Sequence, residues 1–172
     1  SVTEGTAFIK GDAVKKPEGI IENSSIGGIT GASSGVIGAD DLIGLQYELK
    51  EAYARLATWL FKRSTTKAIR LLKEATTNAY IWQPGLTAKE PPTLLGSPYL
   101  ECPDMPAVAA NAKSVAYGDF KRGYWIIDRI QIEIQRLVEK YAEYGQIGFH
   151  VRKRVHGQVV NPEAIKILTI KA

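Results

Sequence analysis

Residues 40–74 constrain the fold of this chain more than any other stretch, because two helical patterns flank a short apolar run. In the first pattern, apolar residues recur at steps of three and four, which is the spacing of one face of an α-helix. They are Leu42, Leu45, Leu49, Ala52, Tyr53 and Leu56. Asp40 or Asp41 is the predicted cap of this helix, since a short carboxylate accepts hydrogen bonds from the first free backbone N–H groups.

The apolar run that follows, Thr58–Phe61, is too short for a helix and predicts a buried strand. Ser64 is the predicted cap of a second helix. The buried side of that helix is predicted at Ala68, Ile69, Leu71 and Leu72. A helix–strand–helix unit of this kind predicts a hydrophobic core rather than a functional site.

Composition narrows the class of protein. The chain has 172 residues and is 45% hydrophobic, which suits a single globular domain. Its 22 basic and 18 acidic residues give a net charge of +4, and this mild excess does not by itself indicate a nucleic-acid partner. The single cysteine, Cys102, excludes an intramolecular disulfide framework and suits a reducing compartment. No apolar run approaches the roughly 20 residues of a membrane helix. These features predict a soluble protein made in the cytoplasm.

The first residues predict a short amphipathic run over residues 2–9 that begins without a cap and without an initiating methionine. They lack the basic and apolar regions of a signal peptide. We therefore expect the chain to be a fragment whose preceding elements are missing.

The segment TGASSG, residues 30–35, matches the opening of the phosphate-binding turn of short-chain dehydrogenases. A dinucleotide interpretation would place Gly31, Gly35 and Gly38 under a pyrophosphate at a helix N-terminus. The spacing is GxxxGxxG rather than GxxxGxG, and the polar segment NSSIGG precedes it instead of a hydrophobic strand. The Gly/Ser-rich composition predicts a flexible surface loop instead.

A second apparent match to short-chain dehydrogenases is also unsupported by its position in the chain. Tyr117 and Lys121 have the spacing of a YxxxK pair. They follow the glycines too closely to leave room for the intervening strands of a dinucleotide-binding fold.

The second half of the chain predicts short strands separated by turns. They are expected at residues 78–85, 93–102, 114–117, 124–129, 130–135, 147–151 and 165–170. The strands at 114–117 and 124–129 are predicted to form an antiparallel hairpin through a turn at 118–123. A further turn is predicted at 156–158, and residues 161–164 are predicted to be a turn or a single helical turn. Residues 136–145 are predicted to be a short helix or a loop. Two early helices followed by several strands indicate an α+β fold.

Few residues suggest chemistry. Cys102 with His150 or His156 would make a thiol nucleophile and its base, but no motif positions either histidine, so a buried, inert cysteine is preferred. Two histidines and one thiol do not match the spacing of a metal site. Glu101 and Asp104 are the nearest candidates for a carboxylate pair, and their place beside a proline favours solvated turn residues.

A basic triplet, Arg152, Lys153 and Arg154, could bind phosphate or an acidic partner. On an alternating strand the two arginines face one way and the lysine the other. A solvated or subunit-facing strand is therefore preferred.

Seven segments, taken together, resemble the C-terminal half or more of a tailed-bacteriophage major capsid protein of the Hong Kong 97 type. They are AFIKGD (7–12), KPEGI (16–20), DLIGLQYELKEAYARLATWLFKRSTTKAIRLLK (41–73), YIWQPGL (80–86), LLGSPYLECPDMP (94–106), AYGDFKRGYWIIDR (116–129) and VVNPEAIKIL (159–168). They occur in order and span nearly the whole chain.

The resemblance implies a Hong Kong 97-type capsid fold. Its axial domain would contain a mixed or antiparallel sheet flanked by helices, and C-terminal strands would belong to the peripheral domain. The implied division is residues 1–22 as the end of the spine and peripheral segment, 23–129 as the axial domain and 130–172 as the peripheral-domain strands. The N-terminal arm, the extended loop and most of the spine helix would lie upstream of residue 1.

The resemblance also implies a function. The chain would be a structural subunit that self-assembles into hexamers and pentamers enclosing DNA, located in the virion capsid and assembled in the bacterial cytoplasm. Portal, scaffolding or decoration proteins are further partners it allows, with packaged DNA contacted non-specifically at most and no membrane partner. No catalytic, cofactor-binding or metal-ligating residue is expected. The alternatives are an NAD(P)-dependent short-chain oxidoreductase, from TGASSG, and a nanocompartment shell of the same fold.

Two finer expectations follow from the same resemblance. Some family members join subunits by a lysine–asparagine isopeptide bond promoted by a glutamate. Gly145 and Arg152 occupy the positions where asparagine and glutamate would be expected, so no such cross-link is predicted.

Contacts around the local symmetry axis are predicted at residues 27–38 and 79–92.

Overall fold

A six-stranded mixed sheet and a separate two-stranded hairpin form the fold, in a computed structural model that describes residues 2–14, 16–74, 78–81, 93–137 and 142–172. The helices are α1 (Val2–Lys10), α2 (Ala39–Glu48), α3 (Glu51–Ala54), α4 (Arg63–Arg70) and α5 (Phe120–Gly123), with 3-10 turns at Ala142–Tyr144 and Pro162–Ala164. The strands are β1 (Gly28–Ser34), β2 (Thr58–Phe61), β3 (Thr93–Leu94), β4 (Ser97–Glu101), β5 (Lys113–Gly118), β6 (Tyr124–Leu137), β7 (Gly148–Val159) and β8 (Ile165–Lys171).

The large sheet has the strand order β1-β8-β5-β2-β4-β3. Two neighbouring pairs, β1 with β8 and β2 with β4, run parallel, and the other pairs run antiparallel. Helices precede or follow these strands without forming a βαβ series. The predicted α+β class with a mixed sheet is therefore confirmed.

One face of the sheet packs against α2 and α4. Trp59 and Tyr117 lie at its centre, with ring centroids 4.2 Å apart, and both are buried. The Trp59 indole N–H donates to the Leu94 carbonyl oxygen at 2.9 Å, so its polar atom is satisfied within the core. Leu42, Leu45 and Ile69 of the two helices belong to the same cluster. The predicted core unit and the predicted buried strand at 58–61 are thus present.

The opposite face carries a second apolar cluster. Along β5, Val115 and Tyr117 belong to the first cluster while Ala116 belongs to the second, as the two-residue period of a strand requires. Ile9 of α1 and the pair Ile20 and Ile21 cover this second face. The sheet is therefore enclosed by α2 and α4 on one side and by α1 and the segment after it on the other.

The predicted first helix is wrong beyond Glu48. Leu49 and Lys50 have extended backbone angles, with ψ of 133° and 138°, and only the short α3 follows. Leu49 is still buried, but Leu56 is 66% exposed. The chain has to turn here to enter β2, so the helical spacing continues in the sequence after the helix has ended.

The second helix differs in its start and in its buried face. It begins at Arg63 with Lys62 at the cap position, so Ser64 lies within its first turn and is not the cap. Thr65, Thr66 and Ile69 form the buried side, whereas Leu71 is 54% exposed. The predicted buried side is therefore confirmed at Ile69, and Leu72 is half-buried against the first apolar cluster. The prediction is wrong at Leu71, which is the C-cap residue after the helix ends at Arg70.

The predicted hairpin between residues 114–117 and 124–129 is wrong. Strand β5 has β2 on one side and β8 on the other, so neither edge is free for β6. Residues 120–123 form α5, which leads the chain out of the sheet, and β6 pairs antiparallel with β7 instead. The predicted turn at 156–158 also lies within β7, where His156 pairs with Ile127.

Other predicted elements agree with the structure in part. Strand β4 lies within the predicted segment 93–102, and residues 162–164 form the predicted single helical turn. In the segment 78–85, Tyr80 forms an isolated bridge with Lys73, and residues 82–85 lie outside the described part of the chain. None of the described helices is long and apolar enough to cross a membrane.

Candidate functional site

The TGASSG segment lies on a strand, so the predicted surface loop is wrong. Residues 30–34 belong to β1, the edge strand that runs parallel to β8, with Thr30 opposite Thr169. A strand edge pairs through backbone groups whatever the side chains are, which explains why Gly/Ser-rich composition did not prevent strand formation.

The carboxylate of Asp41 fills the space beside two of the three glycines, Gly31 and Gly38, whereas the space beside Gly35 is open. One oxygen accepts from the backbone N–H of Ala32 at 3.0 Å, and the other accepts from that of Gly38 at 2.9 Å. A Cβ at Gly31 or Gly38 would lie within 3.2 Å of the same carboxylate oxygen, Oδ2. An acidic group therefore occupies the start of α2, where a dinucleotide would need to place its phosphates. This geometry opposes the oxidoreductase alternative.

The residues of the YxxxK match, Tyr117 and Lys121, do not form a catalytic site. Tyr117 is buried in the core, where a hydrogen bond of 3.0 Å joins its hydroxyl to the Ser97 hydroxyl. Lys121 lies on the exposed side of α5. Tyr117 is thus a core residue rather than a catalytic one.

The structure does not assemble a thiol site. Cys102 is half-buried and packs against the cluster that contains Met105 and Ile165. His150 and His156 lie on β7, and within the described residues no hydrogen bond links either of them to Cys102. The described residues also contain no group of three or more His, Cys, Asp or Glu side chains placed to hold a metal ion.

The two candidate carboxylates, Glu101 and Asp104, accept hydrogen bonds from different helices. Glu101 accepts from the Thr66 hydroxyl of α4 at 2.9 Å, and Asp104 accepts from the Thr6 hydroxyl of α1 at 2.6 Å. Each carboxylate ties a helix to the end of β4. Their hydrogen bonds support structural roles and not an acid–base pair.

The basic triplet lies on β7, and two of its members form ion pairs across the hairpin. Arg152 donates two hydrogen bonds to Glu133, at 2.8 and 2.9 Å, and Lys153 lies 3.5 Å from Asp128. The hydrogen bonds from Arg152 hold the pKa of Glu133 below its usual value. The triplet is therefore partly neutralised within the strand pair.

The hairpin formed by β6 and β7 exposes several large apolar side chains to solvent. Ile134 pairs directly with Val151, and Phe149 lies two residues further along the same face. These three side chains are 64%, 58% and 65% exposed. The opposite face at this point carries the Glu133–Arg152 pair. Contiguous exposed apolar surface of this kind marks an interaction site.

The base of the hairpin is firmly attached to the segment after α1. The Tyr124 hydroxyl donates to the Glu18 carbonyl oxygen at 2.6 Å, and the Val159 N–H donates to the Glu18 carboxylate at 3.2 Å. Phe8 packs edge-on against Tyr124, and a Cβ at Gly157 would collide with both rings. Burial and the Glu18 charge raise the pKa of Tyr124 to about 12. The hairpin therefore has a fixed base and an exposed outer part.

Sequence patterns placed the candidate contact surfaces at residues 27–38 and 79–92, and they suggested a solvated or subunit-facing strand at residues 152–154 without identifying the apolar face of this hairpin. Of those segments, 28–34 form β1 and 82–92 lie outside the described residues. A signal in the sequence is that apolar residues recur at alternate positions in both β6 and β7, for example Ile132 and Ile134 and Phe149 and Val151.

Comparison with known proteins identifies related chains. The model of the phage capsid family matches residues 1–170. Two solved structures, the capsids of an empty and of a native GTA particle, are each 33% identical to this chain, with TM-scores of 0.86 and 0.87. Each match covers 99% of this chain but only 62% and 61% of the GTA chains. No curated protein sequence matches this chain.

A third structure, from Gordonia phage Cozz, is 12% identical with a TM-score of 0.67, and the match covers 99% of this chain and 59% of that one. At this identity the similarity concerns the fold alone. The chain thus spans about three fifths of the length of the structures it matches. The predicted resemblance to a major capsid protein of the Hong Kong 97 type is confirmed for family and fold, and the chain belongs to the phage capsid family.

Proposed function

We propose that this chain is a shell-forming subunit of an icosahedral phage or prophage capsid, which self-associates into hexamers and pentamers that enclose DNA. Phage capsid proteins are structural proteins, and this chain belongs to their family. The observation that most supports self-association is the exposed apolar face of the β6–β7 hairpin at Ile134, Phe149 and Val151. Its location would be the virion capsid, after synthesis in the bacterial cytoplasm.

The energetics of this face favour burial against another subunit. Covering the exposed half of a large aliphatic or aromatic side chain contributes about 1 kcal/mol. A two-stranded ribbon is also marginal in water unless it packs against another element. Among the described residues, the hydrogen bonds that Glu18 makes to the hairpin lie at its base. A neighbouring subunit would supply the missing cover along the outer part.

The topology supports a division into two units. The six-stranded sheet with α2 and α4 would be the axial domain, and the β6–β7 hairpin would belong to the peripheral domain. The predicted boundary between residues 129 and 130 falls within β6, and β8 lies inside the large sheet. We therefore propose that residues 165–171 belong with the axial unit, although they follow the peripheral strands in sequence.

Under this proposal the chain acts through its surfaces and not through catalysis. The groups that suggested chemistry have structural roles: Glu101 and Asp104 hold helices, and Tyr117 lies in the core. A shell subunit needs no cofactor, and the proposal includes none.

A matched pair of variants tests the proposal. Ile134→Glu adds one negative charge to the apolar face, and Gln135→Glu adds the same charge to the next residue, on the opposite face. Light scattering across a concentration series measures the average mass of each. We expect the unmodified chain and Gln135→Glu to form oligomers, and Ile134→Glu to lose them.

The size of the oligomers is a second readout. Because the chain spans about three fifths of the capsid chains it matches, we expect small oligomers rather than closed shells. Monomers at every concentration, or equal association of both variants, would contradict the proposal.

A further inference from the structure

Glu18 holds both strands of the β6–β7 hairpin at its base. Its backbone N–H donates to the Gly157 carbonyl oxygen at 2.8 Å, and its own carbonyl oxygen accepts from the Tyr124 hydroxyl at 2.6 Å. One carboxylate oxygen accepts from the Val159 N–H at 3.2 Å, and the other accepts from the Asn23 side-chain amide at 2.8 Å. Three of these four hydrogen bonds therefore reach the hairpin, one on β6 and two on β7.

The three residues after Glu18 are bonded to a different element, the C-terminal end of α1. The N–H groups of residues 19–21 donate to three carbonyl oxygens there, at 2.8, 3.1 and 3.0 Å. The acceptors are, in order, Gly11, Phe8 and Ile9. The last turn of a helix leaves its carbonyl groups without partners within the helix, so these bonds also cap α1. Residues 18–21 thus form a bridge between α1 and the hairpin.

The bridge packs directly against the end of α1. A Cβ at Gly11 would lie 1.9 Å from the Pro17 carbonyl oxygen, and a Cβ at Gly19 would lie 2.6 Å from the Ile9 carbonyl oxygen. Side chains at these two positions would collide with backbone atoms. The ring of Pro17 also restricts its φ to about −65°, which stiffens the chain just before Glu18.

Helix α1 is in turn fixed to the large sheet. The Thr6 hydroxyl donates to the Asp104 carboxylate at 2.6 Å, and Ile9 packs in the second apolar cluster with Ile167 of β8. Contacts therefore run from the sheet through α1 and the bridge to the hairpin.

The covalent connections of the hairpin converge on one place. Strand β6 begins directly after Gly123, and the N–H groups of Val160 and Asn161, just beyond β7, both donate to the Gly123 carbonyl oxygen, at 2.9 and 3.2 Å. Bonds that meet at one residue form a pivot and do not set a direction. The bridge supplies a second attachment away from that pivot.

We propose that Glu18 is a positioning residue that fixes the angle at which the hairpin leaves the sheet. A fixed angle presents the apolar face at Ile134, Phe149 and Val151 in one direction, so that a neighbouring subunit meets it in one geometry. Holding a contact surface in its bound arrangement lowers the ordering cost of association. This consequence rests on the proposed function, whereas the positioning itself is a property of the single chain.

Pulsed electron–electron double resonance tests the angle, because it gives the distribution of distances between two spin labels. The labels are attached at Lys67→Cys on α4 and Arg154→Cys on β7, both exposed positions, in a Cys102→Ala background. Dilution with unlabelled chain restricts the signal to distances within one chain. Glu18→Ala is compared with Glu22→Ala, a control at an exposed glutamate outside the bridge.

We expect a narrow distribution in the unmodified chain and in Glu22→Ala, and a distribution about twofold broader in Glu18→Ala, because a two-stranded ribbon is marginal without packing support. Urea denaturation of the same variants separates positioning from stability. A folded Glu18→Ala that is less stable but has an unchanged distance distribution would overturn the inference.

Two milder variants replace Glu18→Ala if circular dichroism shows that it does not fold. Glu18→Gln leaves a single side-chain oxygen as acceptor, and Tyr124→Phe removes the hydroxyl bonded to the Glu18 carbonyl oxygen. Each should broaden the distribution in the same direction by a smaller amount. Unchanged widths in both would reject the inference.

Light scattering distinguishes this inference from the proposed function. We expect Glu18→Ala to associate more weakly than Glu22→Ala, and equal association would reject the consequence for assembly. Monomers of the unmodified chain would contradict the proposed function, while the distance distributions would still decide the role of Glu18. Oligomers together with an unchanged distribution in Glu18→Ala would reject the inference alone.

Discussion

Tyr124 donates a hydrogen bond of 2.6 Å from its phenol to the backbone carbonyl oxygen of Glu18, which joins the base of the hairpin to the segment after α1. Burial and the Glu18 charge raise the pKa of Tyr124 to about 12. The ordinary value is about 10. Folding therefore favours the neutral phenol, and its stabilising effect is complete below pH 10 and lost as the pH rises towards 12.

We expect the unmodified chain to lose stability between pH 10 and pH 12 more steeply than Tyr124→Phe, because the phenylalanine has no proton to lose. Urea denaturation at a series of pH values measures the difference. Parallel pH profiles for the two proteins would contradict it. Tyr144, which is exposed, supplies the control substitution to phenylalanine.

The predicted cap of α2, Asp40 or Asp41, is wrong, since Gly38 is the N-cap and Asp41 lies in the first turn. Asp41→Ala should still destabilise the fold by about 2 kcal/mol, because it leaves the N–H groups of Ala32 and Gly38 without their acceptor. The exposed neighbour Asp40 is the matched control, and Asp40→Ala should change the free energy of unfolding by less than about 0.5 kcal/mol. Chemical denaturation at neutral pH measures both. Equal effects would mean that the carboxylate of Asp41 has no special role at the start of α2.

Leu45 and Leu56 belong to the same stripe in the sequence, but they should respond differently to truncation. Leu45 is fully buried, so Leu45→Ala should cost about 2 to 5 kcal/mol. Leu56 is 66% exposed, so Leu56→Ala should cost less than about 0.5 kcal/mol. Thermal and urea unfolding of the two variants test the end of α2 at Glu48, since a continuous helix would make both substitutions costly.

No covalent cross-link between subunits is expected. Gly145 has no side chain to supply an amide, and the guanidinium of Arg152 is held by Glu133. Neither position offers the asparagine or glutamate that an isopeptide bond requires. Denaturing electrophoresis of assembled full-length shells should give a single band at the subunit mass, and a ladder of multiples would disprove the prediction.

The local pattern of apolar residues was sufficient to predict the strands at the centre of the sheet. The predicted runs at 58–61, 114–117 and 165–170 correspond closely to β2, β5 and β8. These strands are almost wholly buried, so their apolar content reflects the environment that determines their conformation.

The pairing of the strands was not predictable in the same way. Gly118 and Asp119 suggested a hairpin turn, but the Asp119 carboxylate accepts from the N–H of Arg122 and starts α5, while its own N–H donates to Ala164. That second contact joins residues 45 positions apart in the sequence. Short-range patterns carry no information about a partner at such a distance.

The surfaces were harder to predict than the core. Alternation of apolar and polar residues in β6 predicts one buried face, yet Ile132 and Ile134 are both 64% exposed. The pattern therefore does not show whether the apolar face of a strand is covered by its own chain.

The position of β8 between β1 and β5 has a consequence for how the subunit is made. Strand β1 pairs with β8, so it has no partner until residues 165–171 have been synthesised, more than 130 residues after it begins. Contacts over such separations form late and slowly. A nascent chain that has not yet reached Ile165 cannot complete the sheet, so the body to which the base of the hairpin is attached forms only after β8 has been synthesised.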